Sequence, residues 1–129
     1  MFKHTKAISS FSVNDLEKAK AFYGQLLGLD FTENMGVMML QLEGGGKVFV
    51  YPKPNHEAAT FTVLNFQVPD IEKTVDDLIA HGITFEQYHY GDIKTDEKGI
   101  MHGGGDKGPT IAWFKDPAGN ILSVVEPTE

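Results

Sequence analysis

The chain has 129 residues, of which 41% are hydrophobic and 22% charged, as expected for one soluble globular domain. It contains no cysteine, which excludes disulfides, a thiol nucleophile and cysteine-ligated zinc. The net charge of −7 argues against a nucleic-acid partner, and no apolar run has the length of a signal peptide or a membrane span, so we expect a cytoplasmic protein.

The first half of the chain is predicted to form a strand, a helix and three further strands. The first strand is AISSFSV (7–13), and Asn14 and Glu17 have the spacing of a capping box at the start of the helix. The helix is expected to end at Gly28. The three remaining strands are GLDF (from 28), VMMLQL (37–42) and, after the turn GGG (44–46), KVFVY (47–51).

The second half repeats this order after the segment PKPNHEAA (52–59). FTVLNFQV (61–68) is the strand, Asp70 the predicted N-cap and Gly82 the predicted end of the helix. The strands that follow are TFEQYHY (84–90), TIAWF (110–114) and, after the turn DPAG (116–119), NILSVVE (120–126). A long glycine-rich loop separates the first two of these strands.

Two octapeptides show that this order is a duplication. FSVNDLEK (11–18) and FQVPDIEK (66–73) agree at five positions, each at the junction of a strand and a helix. Neither half buries enough apolar surface to fold alone, so we expect a single α+β domain built from two βαβββ modules. The modules span about 5–52 and 61–127, with a linker at 53–60.

Two stretches, VNDLEKAKAFYGQLLGLDF (13–31) and AWFKDPAGNILSVVE (112–126), make the chain resemble the vicinal-oxygen-chelate superfamily of glyoxalases, extradiol dioxygenases and bleomycin-resistance proteins. The resemblance implies a cupped, mostly antiparallel eight-stranded sheet with helices on its outer face. In metal-dependent members, four strands each supply His, Glu or Gln to a divalent metal. The corresponding positions here are Ile8, Val63, Ser123 and either Phe49 or Tyr51. None offers an imidazole or carboxylate, so we expect no metal at the usual place and no cofactor.

The cup-facing positions suggest a site for a small organic molecule instead. Residues two apart on a strand share a face, which places hydroxyls and amides beside Ile8, Val63 and Ser123. The expected ligand-binding residues on the strands are Ser10, Ser12, Phe49, Tyr51, Asn65, Gln67, Trp113 and Ser123. Aromatic walls with a few orienting polar groups are typical of such pockets. The alternative is that the polar side chains hydrogen-bond one another around an unused cavity.

The longest irregular segment, from 88 to 109, is a possible lid. Tyr88, Tyr90, Met101 and His102 could touch a ligand from it, and the alternative is a flexible surface loop at 91–109. His102 and His89 are the candidates for a catalytic base, although no pair of histidines has metal-site spacing.

Three functions compete at this level. The first is a metal-free binding protein of the bleomycin-resistance type, which by resemblance would be a homodimer. The second is a lyase, isomerase or dioxygenase that uses an off-pattern metal or a base such as His102. The third is a regulatory or partner-binding domain without a small ligand.

Overall fold

A computed structural model describes residues 1–127 and divides the chain into two compact units, Met1–Ala58 and a second that begins at Ala59. Each unit contains one helical region and a four-stranded sheet. The predicted α+β class and the order strand, helix, strands are therefore confirmed in both halves. The assignment of the two units to modules of one domain stays a prediction.

The first unit has a mixed sheet with the strand order β1-β4-β3-β2. β1 and β4 run parallel, and the other neighbours are antiparallel. The strands are β1 (Ser9–Val13), β2 (Asp30–Asn34), β3 (Val37–Gln41) and β4 (Lys47–Pro52). The helical region lies between β1 and β2.

This helical region begins one residue later than the sequence suggested. Asp15, not Asn14, is the N-cap of α1 (Leu16–Ala19), and its carboxylate accepts a hydrogen bond from the Lys18 backbone N–H at 3.1 Å. The capping-box prediction is wrong because Asp15 has the extended backbone that an N-cap requires. From Lys20 to Leu26 the helix is a π-helix, and the Leu27 N–H reaches the Phe22 carbonyl. Gly28 follows in the left-handed conformation, as predicted.

The core of the first unit lies on one face of its sheet. Phe11 and Val13 on β1 and Val48 and Val50 on β4 are buried, whereas the residues between them are not. The Tyr23 ring of the π-helix lies 5.9 Å from the Phe11 ring. Burying a side chain of this size stabilises the fold by about 1.5–3 kcal/mol. The helix therefore covers this face, and the opposite face carries Ser10, Ser12, Phe49 and Tyr51.

The second unit repeats the arrangement with the strand order β5-β10-β9-β8. Its outer strands and hairpins differ from those of the first unit. The elements are β5 (Thr62–Gln67), α2 (Ile71–Ala80), β6 (His89–Tyr90), β7 (Ile93–Lys94), β8 (Ile100–Met101), a 3₁₀ turn (Gly105–Lys107), β9 (Thr110–Lys115) and β10 (Ile121–Glu126). β5 and β10 are parallel, with an irregularity at Val63 that places Thr62 opposite Ile121 and Leu64 opposite Leu122.

The N-cap predicted for α2 is confirmed. Asp70 has extended backbone, and its side chain accepts a hydrogen bond from the Lys73 N–H at 3.2 Å. Ile71 and Val75 on the same face of α2 are buried. Gly82 follows the helix with a φ of 93°, as a left-handed terminator should.

The strand predicted over 84–90 is mostly wrong. Only His89–Tyr90 is a strand, and it pairs with Ile93–Lys94 in a separate hairpin. The edge position of the second sheet belongs to β8, whose Ile100 and Met101 pair with Ala112 and Ile111 of β9. The Glu86 N–H still donates to the Trp113 carbonyl, and the Phe85 ring lies 5.4 Å from the Phe114 ring, so segment 84–90 contacts β9 without forming a ladder with it. The loop predicted at 91–109 therefore contains two strands and a 3₁₀ turn.

The β9–β10 hairpin is held by the motif DPAGN. The buried Asp116 carboxylate accepts hydrogen bonds from the N–H groups of Ala118 and Asn120 and from Asn120 Nδ2. Asn120 Oδ1 in turn accepts from the Ala59 N–H at 3.1 Å. This motif therefore stabilises both the hairpin and the start of the second unit, and its role is structural.

Among the described residues, no helix combines the length and the apolar character that are needed to cross a membrane.

Candidate functional site

The open face of the first sheet forms a pocket of about 540 Å³. Strand register explains its floor, because Ser10 lies opposite Phe49, Phe49 opposite Met39, and Met39 opposite Thr32. These four residues form one continuous row across all four strands. They belong to the face that the helix does not cover, and all four line the pocket.

A second row continues the same face. Tyr51 follows Phe49 by two residues on β4, Val37 precedes Met39 by two on β3, and Asn34 pairs with Val37. Met35, in the turn between β2 and β3, completes the lining. We call this site the hairpin pocket, since the β2–β3 hairpin supplies five of its eight residues.

The other side of β2 is anchored to the helix. The Phe31 ring packs directly on Gly24 of the π-helix, where a Cβ atom would lie only 2.6 Å from the ring. Lys20 bridges Glu33 of β2 and Glu17 of α1, with Nζ–O distances of 2.5 and 2.8 Å. The hydrogen bonds to Glu17 and Glu33 raise the pKa of Lys20. These contacts hold β2 at the edge of the sheet, with Thr32 and Asn34 turned to the pocket.

One polar contact lies beside the pocket on the same face. Ser12 is the cross-strand partner of Tyr51, and its Oγ lies 2.7 Å from Nδ1 of His56. His56 comes from the segment that was assigned to the linker, so this segment folds back onto the first sheet. Ser12 was predicted to bind a ligand directly, whereas here its hydroxyl contacts an imidazole from its own unit.

In the second unit, Asn65 and Ser123 contact each other. They are cross-strand partners, and the buried Ser123 Oγ donates to Asn65 Oδ1 at 2.6 Å. Gln67 lies two residues further along β5, opposite Val125, with its side chain exposed. The shared face that alternation predicted for Asn65 and Ser123 is thus present.

An aromatic group lies at β9, the strand next to β10. The rings of Tyr88 and Trp113 lie 5.3 Å apart, and those of Tyr88 and Tyr90 lie 5.9 Å apart. Burial, followed by the negative charge of Glu86, raises the pKa of Tyr88. Trp113 pairs with Ser123 across the β9–β10 ladder, so the aromatic group is adjacent to the Asn65–Ser123 contact. Met101 pairs with Ile111 on the same sheet.

The positions that resemblance assigns to metal ligands do not fit a metal. Ile8 lies just before β1 with 51% of its surface exposed, and Val63 sits at the β5 irregularity. Neither hydrocarbon side chain can coordinate a cation. Ser123 is engaged with Asn65, and Phe49 and Tyr51 face the hairpin pocket. No chemistry that requires a metal at these positions follows from this chain.

His102, the first catalytic candidate, has an acidic partner that the sequence did not reveal. Its Nε2 lies 2.7 Å from Asp96 Oδ2, while Asp96 Oδ1 accepts hydrogen bonds from the N–H groups of Lys98 and Ile100. Burial raises the pKa of Asp96, but the Ile100 N–H, His102 and the Lys98 N–H together lower it more. Asp106, the acid nearest to His102 in the glycine-rich sequence, is not this partner.

Glu72 of α2 joins the same group. Potential ligand atoms of Glu72, Asp96 and His102 all lie within 4.8 Å of one another. However, Lys98 Nζ already lies 3.1 Å from Glu72 and 2.9 Å from Asp76. Hydrogen bonds to Asp76 and Glu72 raise the pKa of Lys98, so its ammonium group is charged and already balances the negative charge of these carboxylates. His89, the second candidate, lies exposed in β6.

Sequence reasoning thus found three of the eight residues of the hairpin pocket, namely Ser10, Phe49 and Tyr51. It missed the whole contribution of β2, β3 and their turn: Thr32, Asn34, Met35, Val37 and Met39. The alternation that was applied to β1 would also have placed Val37 and Met39 of VMMLQL on one face. The register between strands, which decides that these faces coincide, is not readable from one sequence.

The chain belongs to the glyoxalase/bleomycin resistance protein/dioxygenase superfamily. The family model matches residues 2–124, which is nearly the whole chain. Two units that each contain a strand, a helix and further strands are what the sequence resemblance implied, and that resemblance is confirmed. Among curated proteins, none matches the chain significantly.

Several solved structures share this fold at low sequence identity. A glyoxalase family protein from Enterococcus faecalis is 20% identical over 98% of this chain and 100% of its own, with a TM-score of 0.66. TnmS3, an antibiotic binding protein from Streptomyces sp. CB03234, is 20% identical over 96% and 98%, with a TM-score of 0.65. A bleomycin-binding protein in complex with bleomycin is 21% identical over 94% and 97%, with a TM-score of 0.63. These likenesses establish the fold alone.

Proposed function

We propose that this chain is a small-molecule binding protein and that its ligand occupies the hairpin pocket. The observation that carries the proposal is the pocket itself, about 540 Å³ on a sheet face that no helix of its own unit covers. Small-ligand sites usually measure about 300–1,000 Å³ and combine apolar walls with a few polar groups. Here Phe49, Tyr51 and Met39 supply the walls, and Ser10 and Asn34 supply polar groups.

The family adds support without naming the ligand. Two structural neighbours are described as an antibiotic binding protein and a bleomycin-binding protein, so the fold is compatible with binding of organic molecules. We infer that the ligand is held without a metal, because Ile8 and Val63 occupy two of the four expected ligand positions. By the same resemblance we propose a homodimer. The ligand-binding role predicted for Gln67, Trp113 and Met101 stays a separate proposal, because these residues do not line the hairpin pocket.

A thermal-shift screen with a pocket-filling variant tests the proposal. The panel contains aromatic acids, small thiols and glycopeptide drugs together with nickel, zinc, manganese and ferrous iron. A ligand that binds only the folded form stabilises it by about 2.7 kcal/mol at a hundredfold excess over its dissociation constant. We expect a shift with an organic compound and its loss in Ser10→Trp, which fills the pocket floor.

Ser9→Trp is the matched control, because Ser9 is also exposed on β1 but points to the other face of the strand. It should keep the ligand-induced shift. If no organic compound stabilises the protein, or if Ser10→Trp responds like the wild type, the hairpin pocket is not a binding site.

The second candidate function is an enzyme with an off-pattern site. The Asp96–His102 contact favours it, since a carboxylate that holds an imidazole is a common arrangement for a general base. Lys98 counts against a cation at this place, as does the exposure of Glu72 and His102. A metal-induced stabilisation that disappears in His102→Ala but persists in His89→Ala would place this function ahead of the first.

A further inference from the structure

The chemistry of the hairpin pocket indicates which class of ligand it takes. None of its eight lining residues is Lys, Arg, Asp, Glu or His, although the chain as a whole carries a net charge of −7. On the same face, the next row of the sheet contains Asp30 and Lys47, which are the two cross-strand neighbours of Gln41 and have opposite charges. A charged ligand would therefore lose hydration in the pocket without gaining a partner.

The shape of the lining adds a second restriction. Phe49 and Tyr51 project from the same face of one strand, and Met39 is the cross-strand partner of Phe49. Aromatic rings and methionine thioethers on a sheet face make favourable contacts with the faces and edges of flat aromatic rings. Hydroxyl and amide groups at Ser10, Thr32 and Asn34 can orient such a ring by hydrogen bonds.

Met35 is unusual in both its backbone and its exposure. Asn34 and Val37 are paired, so Met35 and Gly36 form a two-residue hairpin turn with φ angles of 54° and 77°. Both central residues of such a turn need positive φ, which favours Asn-Gly and disfavours methionine. Among the described residues, Met35 is the only one other than glycine with positive φ, and its side chain is 95% exposed. A strained backbone that presents an apolar side chain at the pocket edge is a reason to suspect function.

We propose that the hairpin pocket binds an uncharged, planar aromatic molecule and that Met35 packs on it as a binding residue. The inference rests on the proposed function, because it names the ligand class of the same pocket. The exposed thioether of Met35 then becomes covered only when the ligand is present. Met39 lies beneath the ligand, in the sheet.

Three compounds with one ring system test the ligand class. Naphthylmethanol is neutral at neutral pH, naphthylmethylamine is a cation, and naphthoic acid is an anion. Binding is followed by NMR of isotope-labelled methionine methyl groups, of which the chain has five. We expect the neutral compound to move the Met35 and Met39 signals and the two charged compounds to bind at least about tenfold more weakly. Met38, fully buried on the opposite face of β3, should not move.

Each outcome has a different meaning. If a charged compound moves the Met35 and Met39 signals as strongly as the neutral one, the ligand class is wrong and the proposed function stands. If none of the three moves either signal at millimolar concentration, the pocket does not accept aromatic rings and the inference fails. The proposed function then depends on its own screen with Ser10→Trp.

Two variants test the role of Met35. Met35→Asn relieves the turn, so its melting temperature should rise, while affinity for naphthylmethanol should fall roughly threefold to tenfold because the thioether contact is lost. Met35→Leu retains an apolar side chain and should stay within about threefold of the wild-type affinity. A purely structural residue would not separate stability from affinity in this way. Unchanged affinity in Met35→Asn would overturn the binding role of Met35.

Discussion

The buried hairpin motif allows a stability prediction that can be worked out from the structure. Asp116→Ala removes the carboxylate that accepts from the N–H groups of Ala118 and Asn120 at 2.9 and 2.8 Å and from Asn120 Nδ2 at 3.1 Å. Asn120 is buried, so water does not replace the two hydrogen bonds that it makes to Asp116, whereas the Ala118 N–H is only partly buried. A hydrogen bond to a charged group contributes about 1.5–3 kcal/mol, so losing the two buried ones should lower the free energy of unfolding by about 3 kcal/mol.

This loss should be visible in a simple melting experiment. A chain of 129 residues has an unfolding entropy of about 0.27 kcal/mol/K at its melting temperature, so 3 kcal/mol corresponds to roughly 11 °C. Differential scanning calorimetry or circular dichroism measures the shift. Asp116→Asn retains an oxygen for the two backbone donors and should lose about half as much.

Asp92→Ala is the control, because Asp92 is an exposed acid in the turn of the β6–β7 hairpin. Its melting temperature should change by no more than about 2 °C. A melting temperature of Asp116→Ala equal to that of the wild type would refute the assignment of the motif to hairpin stability. Asp116 would then have to be reconsidered as a functional acid.

Three further predictions concern the second unit. Gly99→Ala should lower the free energy of unfolding by at least about 2 kcal/mol, because Gly99 has a φ of 89° and an added Cβ would lie 2.7 Å from Phe85 Cβ. Gly91→Ala is the control, with a φ of 58° and open space around it, and should lose only about 1 kcal/mol. Equal losses in urea unfolding would refute the close approach of Gly99 to Phe85. Because the pKa of Asp96 is lowered, its contribution to stability is present above the ordinary carboxyl pKa and is lost as the pH falls through the depressed value. The protection of the Ile100 amide, measured relative to its intrinsic exchange rate at each pH, should therefore fall in acid. Asp96→Asn should remove most of this dependence, whereas identical pH profiles would contradict the His102 contact. Since burial raises the pKa of Tyr88, its contribution to stability is present below the ordinary tyrosine pKa and is lost as the pH rises through the raised value. In an ultraviolet titration, Tyr88→Phe should show one late-ionising tyrosine fewer than the wild type, and equal numbers in the two proteins would refute the burial of this phenol.

Several features of the chain could be determined from its sequence because they depend on local chemistry. The repeat of FSVNDLEK as FQVPDIEK marks two strand–helix junctions, and both lie where the sequence placed them. Asp70 caps its helix because a short acidic side chain in extended backbone can reach the next free N–H groups. On β1, alternation separates Ser10, which lines the pocket, from Phe11, which is buried.

Other local patterns were misleading because packing against distant residues overrides them. TFEQYHY alternates like a strand, yet β8 takes the sheet edge, where the side chain of Ile100 is fully buried. Gly99 lets the chain pass against Phe85, so both segments reach β9 at successive positions. The first helix similarly becomes a π-helix, in a region where Phe31 packs on Gly24. Such choices depend on packing partners that are distant in sequence.

The candidate site depends even more on tertiary structure. Sequence alone determined the family and showed that Ile8 and Val63 cannot hold a metal, since ligand chemistry is a property of each residue type. Only the strand register aligned Ser10, Phe49, Met39 and Thr32 in one row, and only folding brought His56 to Ser12 and Asp96 to His102. Register and such long-range contacts arise from burial summed over many residues, so no short stretch of this chain encodes them.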